Sequence, residues 1–118
     1  MTVANIRVEY YDGTPVAFFD GDVDAANAAR VAEELMAAVT NRTVALIVVL
    51  SDARYLDSAG INVLFRLHEQ LQTRRQRLGL VLGASARLRR VLELSGVPTT
   101  IPVWEDLEAA LAGIGIDE

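Results

Sequence analysis

Apolar and polar residues alternate near the start of the chain, and longer apolar segments follow. Ile6, Val8 and Tyr10 are separated by Arg, Glu and Tyr, a pattern that is typical of a half-buried strand. Residues 12–15, Asp-Gly-Thr-Pro, carry turn chemistry, and a second apolar stretch follows at residues 16–19. The beginning of the chain is therefore predicted to form an antiparallel β-hairpin.

The longest apolar run covers residues 44–50 and is rich in β-branched side chains. Because it lacks polar alternation, it predicts a strand that is buried on both faces. Residues 78–83 predict another short strand, and residues 99–103 predict a last one. Pro102 places that last strand at an edge of the sheet, since proline cannot donate a ladder hydrogen bond.

Four further stretches carry apolar residues at helical spacing. The first follows Asp24, which we expect to cap it, and the second covers about residues 58–74. The third begins after Ser85 and ends at Gly96, and the fourth has its apolar positions between residues 104 and 114. Each helix is thus predicted to place one apolar face on the sheet.

The predicted order of elements is β-β-α-β-α-β-α-β-α. Strands that alternate with helices in this way imply an α/β fold, with a mixed, mostly parallel sheet and helices packed against it. We expect one domain over residues 1–118, with its core at about 3–111 and a fraying tail at 112–118. The loops after the second and third strands are expected at one edge of the sheet, which brings their carboxylates close to Ser58.

Composition restricts the chemistry that this chain can perform. It has 118 residues, no cysteine, no lysine and a single histidine, His68, on the apolar face of a predicted helix. Disulfides, thiolate catalysis and cysteine-based or histidine-rich metal sites are therefore excluded. A net charge of −5 disfavours nucleic-acid binding. The chain begins without a signal-peptide pattern and has no apolar run that could span a bilayer, so we expect a cytoplasmic protein that does not insert into membranes.

The dipeptide Asp57-Ser58 lies at the junction between the buried strand and the second helix. Both residue types are common helix N-caps, and this is a sufficient structural reason for a serine at Ser58. The unpaired backbone N–H groups and the helix dipole at such a junction also favour a phosphate group. The junction alone leaves both interpretations open.

Several enzymatic or metal-binding alternatives were weighed on the same residues. The loop carboxylates can serve as magnesium ligands, and they are Asp20, Asp22, Asp24, Asp52 and Asp57. A receiver-type phosphoaspartate site at Asp52 is disfavoured because that family uses a lysine on a later strand, and this chain has no lysine. The acidic pair of the receiver family also directly follows its first strand, where this chain has a hairpin. Ser58 is outside a G-x-S-x-G motif, and no glycine-rich phosphate loop is present. We therefore expect a protein that is not an enzyme and binds no cofactor of its own.

The run 55–61, Tyr-Leu-Asp-Ser-Ala-Gly-Ile, follows an apolar strand and resembles the signature of STAS domains. These are the anti-sigma factor antagonists and the related domains of sulfate transporters. Residues 21–24, Gly-Asp-Val-Asp, resemble the G-[DE]-[LIV]-D loop of the family, and residues 94–97, Leu-Ser-Gly-Val, resemble the exit of its third helix. The resemblance covers roughly residues 3–111.

The resemblance implies an anti-sigma factor antagonist in a partner-switching module. Unphosphorylated, such a domain binds an anti-sigma factor serine kinase and frees a sigma factor, and ATP and magnesium belong to the kinase. Phosphorylation of the motif serine, which matches Ser58, switches the domain off, and a phosphatase reverses the modification. The supporting partner-binding positions are Asp22, Asp24, Asn27, Asp57, Ala59, Gly60 and Asn62. The alternative is a STAS interaction subunit of a stressosome-like scaffold or of a lipid or anion transport complex.

Overall fold

The chain begins with the expected hairpin. In the computed structural model, which describes residues 4–114, β1 (Ala4–Tyr11) pairs antiparallel with β2 (Thr14–Val23). The two turn residues have positive φ angles, 52° for Asp12 and 84° for Gly13. This geometry matches the right-handed twist of the flanking strands and explains the Asp-Gly pair.

Three parallel strands complete the sheet. They are β3 (Ala45–Leu56), β4 (Arg77–Val81) and β5 (Val103–Trp104), and the strand order is β1-β2-β3-β4-β5. The helices of the described residues connect these strands and follow β5: α1 (Ala28–Ala37), α2 (Ser58–Thr73), α3 (Ala86–Leu94), α4 (Val97–Thr100) and α5 (Leu107–Ile114). The α/β class and the predicted order are confirmed, with the one-turn helix α4 as an addition.

The sheet separates two apolar cores. The larger core joins one face of the sheet to α1, α2, α3 and α4, and it includes the fully buried side chains of Leu35, Leu67 and Leu92. The smaller core lies under α5 on the other face, around Ile47 and Ile114. Burying each of these side chains stabilises the fold by about 1.5–3 kcal/mol, so the helices are held mainly by their apolar faces.

Strand β3 is longer than the apolar run that predicts it. It continues past Leu50 to Leu56, paired with the second half of β2, whereas its pairing with β4 ends at Val49. Residues 51–55 read as a loop because they are mostly polar, but most of them are exposed in the strand. They form, with the end of β2, a two-stranded extension of the sheet that leads directly into α2.

The last strand is shorter than the expected residues 99–103 and begins later, although it lies at an edge of the sheet as Pro102 predicts. Gly96, with φ of 79°, ends α3 as predicted, but Pro98 then lies in the first turn of α4. Only Val103 and Trp104 form the edge strand, so Trp104 precedes the last helix instead of starting it.

The last helix reaches the final apolar position of its predicted pattern, although a fraying tail was expected from residue 112. It continues through Ile114, which is buried, so residues 112–114 belong to the packed domain. Residues 115–118 of the predicted tail lie outside the described residues. Within residues 4–114, no helix is both long and apolar enough to cross a membrane.

Candidate functional site

The N-terminus of α2 is capped by Asp57. The backbone of Asp57 is extended, and its Oδ1 accepts hydrogen bonds from the N–H groups of Ala59, at 2.9 Å, and Gly60, at 3.2 Å. Its carbonyl oxygen accepts the first bond of the helix, from the N–H of Ile61 at 2.9 Å. One aspartate side chain therefore satisfies two amides of the first turn that have no partner within the helix, which is the task of an N-cap residue.

Ser58 is the first residue of α2 and does not cap it. Its side chain is exposed, and its hydroxyl has no hydrogen-bond partner among residues 4–114. The interpretation of Ser58 as a structural cap is therefore wrong, because Asp57 holds that position. A hydroxyl at the positive end of a 16-residue helix is left available to solvent.

Gly60 allows the first turn of α2 to lie close to the ends of the two long strands. A Cβ atom at this position would lie 2.7 Å from Cδ1 of Leu56 and 3.1 Å from Cβ of Val23. Ala59 is half-buried beside it. Small side chains here thus let α2 start directly against the sheet, which fixes the direction in which Ser58 projects.

The loop after β2 is held by Asn27, which is buried, with 7% of its surface exposed. Its Oδ1 accepts from the N–H of Asp24 at 3.1 Å, and its Nδ2 donates to the carbonyl of Asp22 at 2.9 Å. Asp24 was expected to cap α1, but its Oδ1 accepts from the N–H of Ala26 at 2.8 Å, within the loop. Asn27 occupies the N-cap position of α1 without a side-chain cap bond.

The two loops meet where the long strands end. Val23 and Leu56 are register partners, and the N–H of Asp57 donates to the carbonyl of Val23 at 3.4 Å. Asp24 and Asp57 therefore follow a pair of adjacent strand ends, as the order of elements predicted. Both carboxylates are half-buried, and together with Asp22 they give this edge of the sheet a negative charge beside Ser58.

A surface depression of about 290 Å³ lies between α1 and α2, directly behind the first turn of α2. Its walls include Ala28, Ala59, Asn62 and Arg66. Asn62 was predicted as a partner-binding position, whereas Arg66 was missed. The four-residue spacing of Asn62 and Arg66 on α2 is the sequence signal that places both on one helix face.

The remaining acidic residues lie elsewhere. Asp20 and Asp52 are register partners and exposed, and they line a separate depression with Asn5 and Arg7. Asp52 thus lies inside β3 and not at a strand end, where a receiver-type acceptor was considered. Within residues 4–114, no group of three or more histidine, aspartate or glutamate side chains is placed to hold a metal ion.

Comparison with known proteins assigns the family. The STAS domain family model matches residues 5–110, and the chain belongs to that family. BtrV of Bordetella bronchiseptica is 30% identical over 107 residues, which cover 91% of both chains. RsfB of Mycobacterium tuberculosis, an anti-sigma-F factor antagonist, is 28% identical over 109 residues, which cover 92% of this chain and 88% of RsfB.

The fold agrees with a solved structure over nearly its whole length. A crystal structure of an anti-sigma factor antagonist from Mycobacterium paratuberculosis superposes with a TM-score of 0.85 at 28% identity. The alignment covers 95% of this chain and 94% of that protein. The expected STAS fold is therefore confirmed, and both RsfB and the Mycobacterium paratuberculosis protein are anti-sigma factor antagonists.

Proposed function

We propose that this protein is an anti-sigma factor antagonist whose binding to an anti-sigma factor serine kinase is controlled by phosphorylation of Ser58. Relatives similar over nearly the whole chain are anti-sigma factor antagonists, including RsfB and the Mycobacterium paratuberculosis protein. The observation that carries the proposal is the exposed Ser58 hydroxyl, which has no hydrogen-bond partner among the described residues. The proposal therefore concerns a side chain that the fold does not use.

The position of Ser58 suits transfer of a phosphoryl group from ATP held by the kinase. An exposed hydroxyl can approach a γ-phosphate in line, and the N-terminal dipole of α2 favours the negative charge that it receives. Asp57 fixes the first turn by its bonds to Ala59 and Gly60, so the hydroxyl is presented on a rigid helix end. ATP and magnesium are supplied by the kinase.

Phosphorylation acts at the interface and not on the fold. A phosphoserine carries about −1.5 to −2 charges, here beside the half-buried carboxylates of Asp24 and Asp57. In a desolvated interface these charges face the nucleotide phosphates or acidic groups of the kinase. The repulsion between like charges makes the binding free energy less favourable by several kcal/mol. Because each ~1.4 kcal/mol is tenfold in affinity, this is sufficient to release the kinase, and a phosphatase resets the switch.

The binding surface extends from Ser58 in two directions. On one side, Asp22 and Asp24 lie in the loop that Asn27 fixes, where they can pair with arginines of the kinase. On the other side, Asn62 lines the depression between α1 and α2. The kinase thus contacts two loop ends and one helix face that the fold holds together.

Phosphorylation can be tested directly with an anti-sigma factor serine kinase from the same genome as this protein. The wild-type chain, the Ser58→Ala variant and the Ser51→Ala variant are incubated with kinase and ATP, and the modified residue is mapped by mass spectrometry. We expect one phosphate on Ser58 in the wild type and in Ser51→Ala, and none in Ser58→Ala. Ser51 is an exposed serine of the same β3–α2 region and serves as the matched control. Labelling of Asp52, or of no residue, contradicts the proposal.

Binding to the same kinase tests the switch itself. Ser58→Ala should bind whether or not ATP is supplied, because it cannot be modified. Ser58→Asp and the phosphorylated wild type should bind at least tenfold more weakly than the unmodified protein, as measured by calorimetry. Equal affinity of all forms would remove the switch from the proposal.

A further inference from the structure

Strand β1 is a long edge strand of the sheet. It has eight residues, and its register with β2 is unbroken from Ala4 to Tyr11. No other described segment pairs with its outer side. Edge strands are normally protected by charged side chains, proline, a bulge or a short length. Strand β1 has no proline and no bulge, and its two charged residues, Arg7 and Glu9, have opposite signs.

The turn determines which backbone groups of β1 point outward. Tyr11 and Thr14 flank a two-residue turn, so they form a hydrogen-bonded pair between β1 and β2. Hydrogen-bonded and non-hydrogen-bonded pairs alternate along an antiparallel ladder. The N–H and C=O groups that face away from β2 are therefore those of Ile6, Val8 and Tyr10.

Two opposite charges lie on this edge in a fixed arrangement. The Nε of Arg7 donates to Oε2 of Glu9 at 2.8 Å, and the hydroxyl of Tyr11 donates to Oε1 of Glu9 at 2.9 Å. The guanidinium of Arg7 also lies over the ring of Phe18, 4.4 Å from its centroid. The two charged side chains lie side by side on the same face of the sheet as α5. Helix α5 itself packs against β3, β4 and β5.

We infer that a second copy of this chain pairs with β1 in antiparallel orientation, about a two-fold axis at Val8. In this register Val8 faces Val8 of the second copy, and the outward groups of Ile6 meet those of Tyr10. Arg7 of each copy then lies opposite Glu9 of the other copy. The five-stranded sheet becomes one continuous sheet of twice that width.

Charge selects this register over its neighbours. The outward backbone groups still meet when the axis moves by one residue, to Arg7 or to Glu9. An axis at Arg7 places two arginines directly opposite each other, and an axis at Glu9 does the same with two glutamates, which is destabilising. Only the axis at Val8 gives two opposite-charge pairs, so the sequence of β1 is complementary to itself.

The dimer leaves the proposed switch accessible. Because the two β1 strands run in opposite directions, the other strands of the two copies also do. The two Ser58 sites, which follow the carboxyl ends of the strands, therefore lie at opposite ends of the doubled sheet. Each protomer can therefore meet its own kinase. The pairing does not depend on the proposed function, and a failure of either one leaves the other intact.

Charge exchange between two variants gives the decisive test. Sedimentation of the wild-type chain should show the mass rising from 12.8 kDa toward twice that value as the concentration approaches about 1 mM. Arg7→Glu and Glu9→Arg should each remain monomeric, because like charges then face each other across the axis. An equimolar mixture of the two variants should dimerise, because the two carboxylates of one variant face the two guanidinium groups of the other.

Two further variants separate this pairing from general charge effects. Arg42→Glu makes the same change of charge at an exposed loop position and should dimerise like the wild type. Val8→Pro removes the outward N–H at the axis without removing a bond to β2, and it should abolish the dimer. This variant tests the pairing independently if one of the charge variants does not fold. A wild type that stays monomeric, a folded mixture that stays monomeric or a Val8→Pro dimer overturns the inference.

Discussion

Asp24 and Asn27 bind each other in both directions. The N–H of Asp24 donates to Oδ1 of Asn27 at 3.1 Å, and the N–H of Asn27 donates to the carbonyl of Asp24 at 3.2 Å. With the bond from Nδ2 of Asn27 to the carbonyl of Asp22, one buried amide satisfies two backbone groups of the loop beside Ser58. The acidic loop is therefore positioned by a side chain that cannot itself reach a partner.

Asn27→Ala should destabilise the protein by about 1–3 kcal/mol, because two partly buried backbone groups lose their partners. Urea denaturation followed by circular dichroism measures this change. Asn62→Ala is the matched control, since Asn62 is exposed, and it should change the stability by less than about 0.5 kcal/mol. Equal effects of the two substitutions would show that the loop does not depend on Asn27.

The capping hydrogen bonds of Asp57 can be separated from the effect of its negative charge. Asp57→Ala should cost about 0.5–2 kcal/mol of unfolding free energy, because the amides of Ala59 and Gly60 lose their acceptor. Asp57→Asn keeps a capping oxygen and should retain most of the stability. Urea denaturation distinguishes the two variants, and a loss of similar size in both would assign the effect to charge.

Gly60→Ala should destabilise the protein by about 1–3 kcal/mol, because the added Cβ overlaps the Leu56 side chain and crowds Val23. Part of this cost should disappear when Leu56 is also replaced by alanine, which makes room for the new Cβ atom. The effects of Gly60→Ala and Leu56→Ala are then less than additive in a double-mutant cycle. Strict additivity in thermal denaturation would exclude the close contact.

The hydroxyl of Tyr11, followed by the guanidinium of Arg7, holds the pKa of Glu9 below its ordinary value. The stabilisation from this depressed pKa is present above the unfolded-state pKa and is lost as the pH falls through the folded-state value. Tyr11→Phe should therefore raise the Glu9 pKa toward its ordinary value, in an NMR titration of the dilute monomer. Tyr10→Phe is the control and should leave the Glu9 pKa unchanged.

Phosphorylation of Ser58 should leave the fold intact. The helix dipole tolerates the added charge, and the cap bonds of Asp57 do not involve the Ser58 hydroxyl. Backbone NMR shifts should change in the first turn of α2 and the facing loop, and not in β4 or α5. Changes spread across the sheet would instead indicate a conformational switch.

Local signals in the sequence were sufficient for much of the fold. Asp12 and Gly13 specify the hairpin because both adopt positive φ, and Gly96 ends α3 for the same reason. Ser85 caps α3 as predicted, with its hydroxyl accepting from the N–H of Leu88 at 3.1 Å. In each case the deciding interaction lies within a few residues of the chain.

The errors came from interactions that a local pattern does not contain. Residues 51–55 form a strand only because the second half of β2 lies beside them, with Asp20 opposite Asp52. Asp24 is a good N-cap by type, but the buried Asn27 holds the loop in a turn in which Asp24 binds Ala26. Ser58 lies at the strand end where it was expected, but residue type alone did not decide whether Asp57 or Ser58 caps α2.

Asp57 and Ser58 have different roles at the start of α2, and this difference bears on how members of the family can vary. Asp57 and Gly60 shape the helix end, while the side chain at Ser58 contributes nothing that residues 4–114 require. Under the proposed function, a substitution at that position would remove or restore phosphorylation without a penalty in folding. The same fold would then serve as a permanent binder with alanine at this position and as a regulated binder with serine.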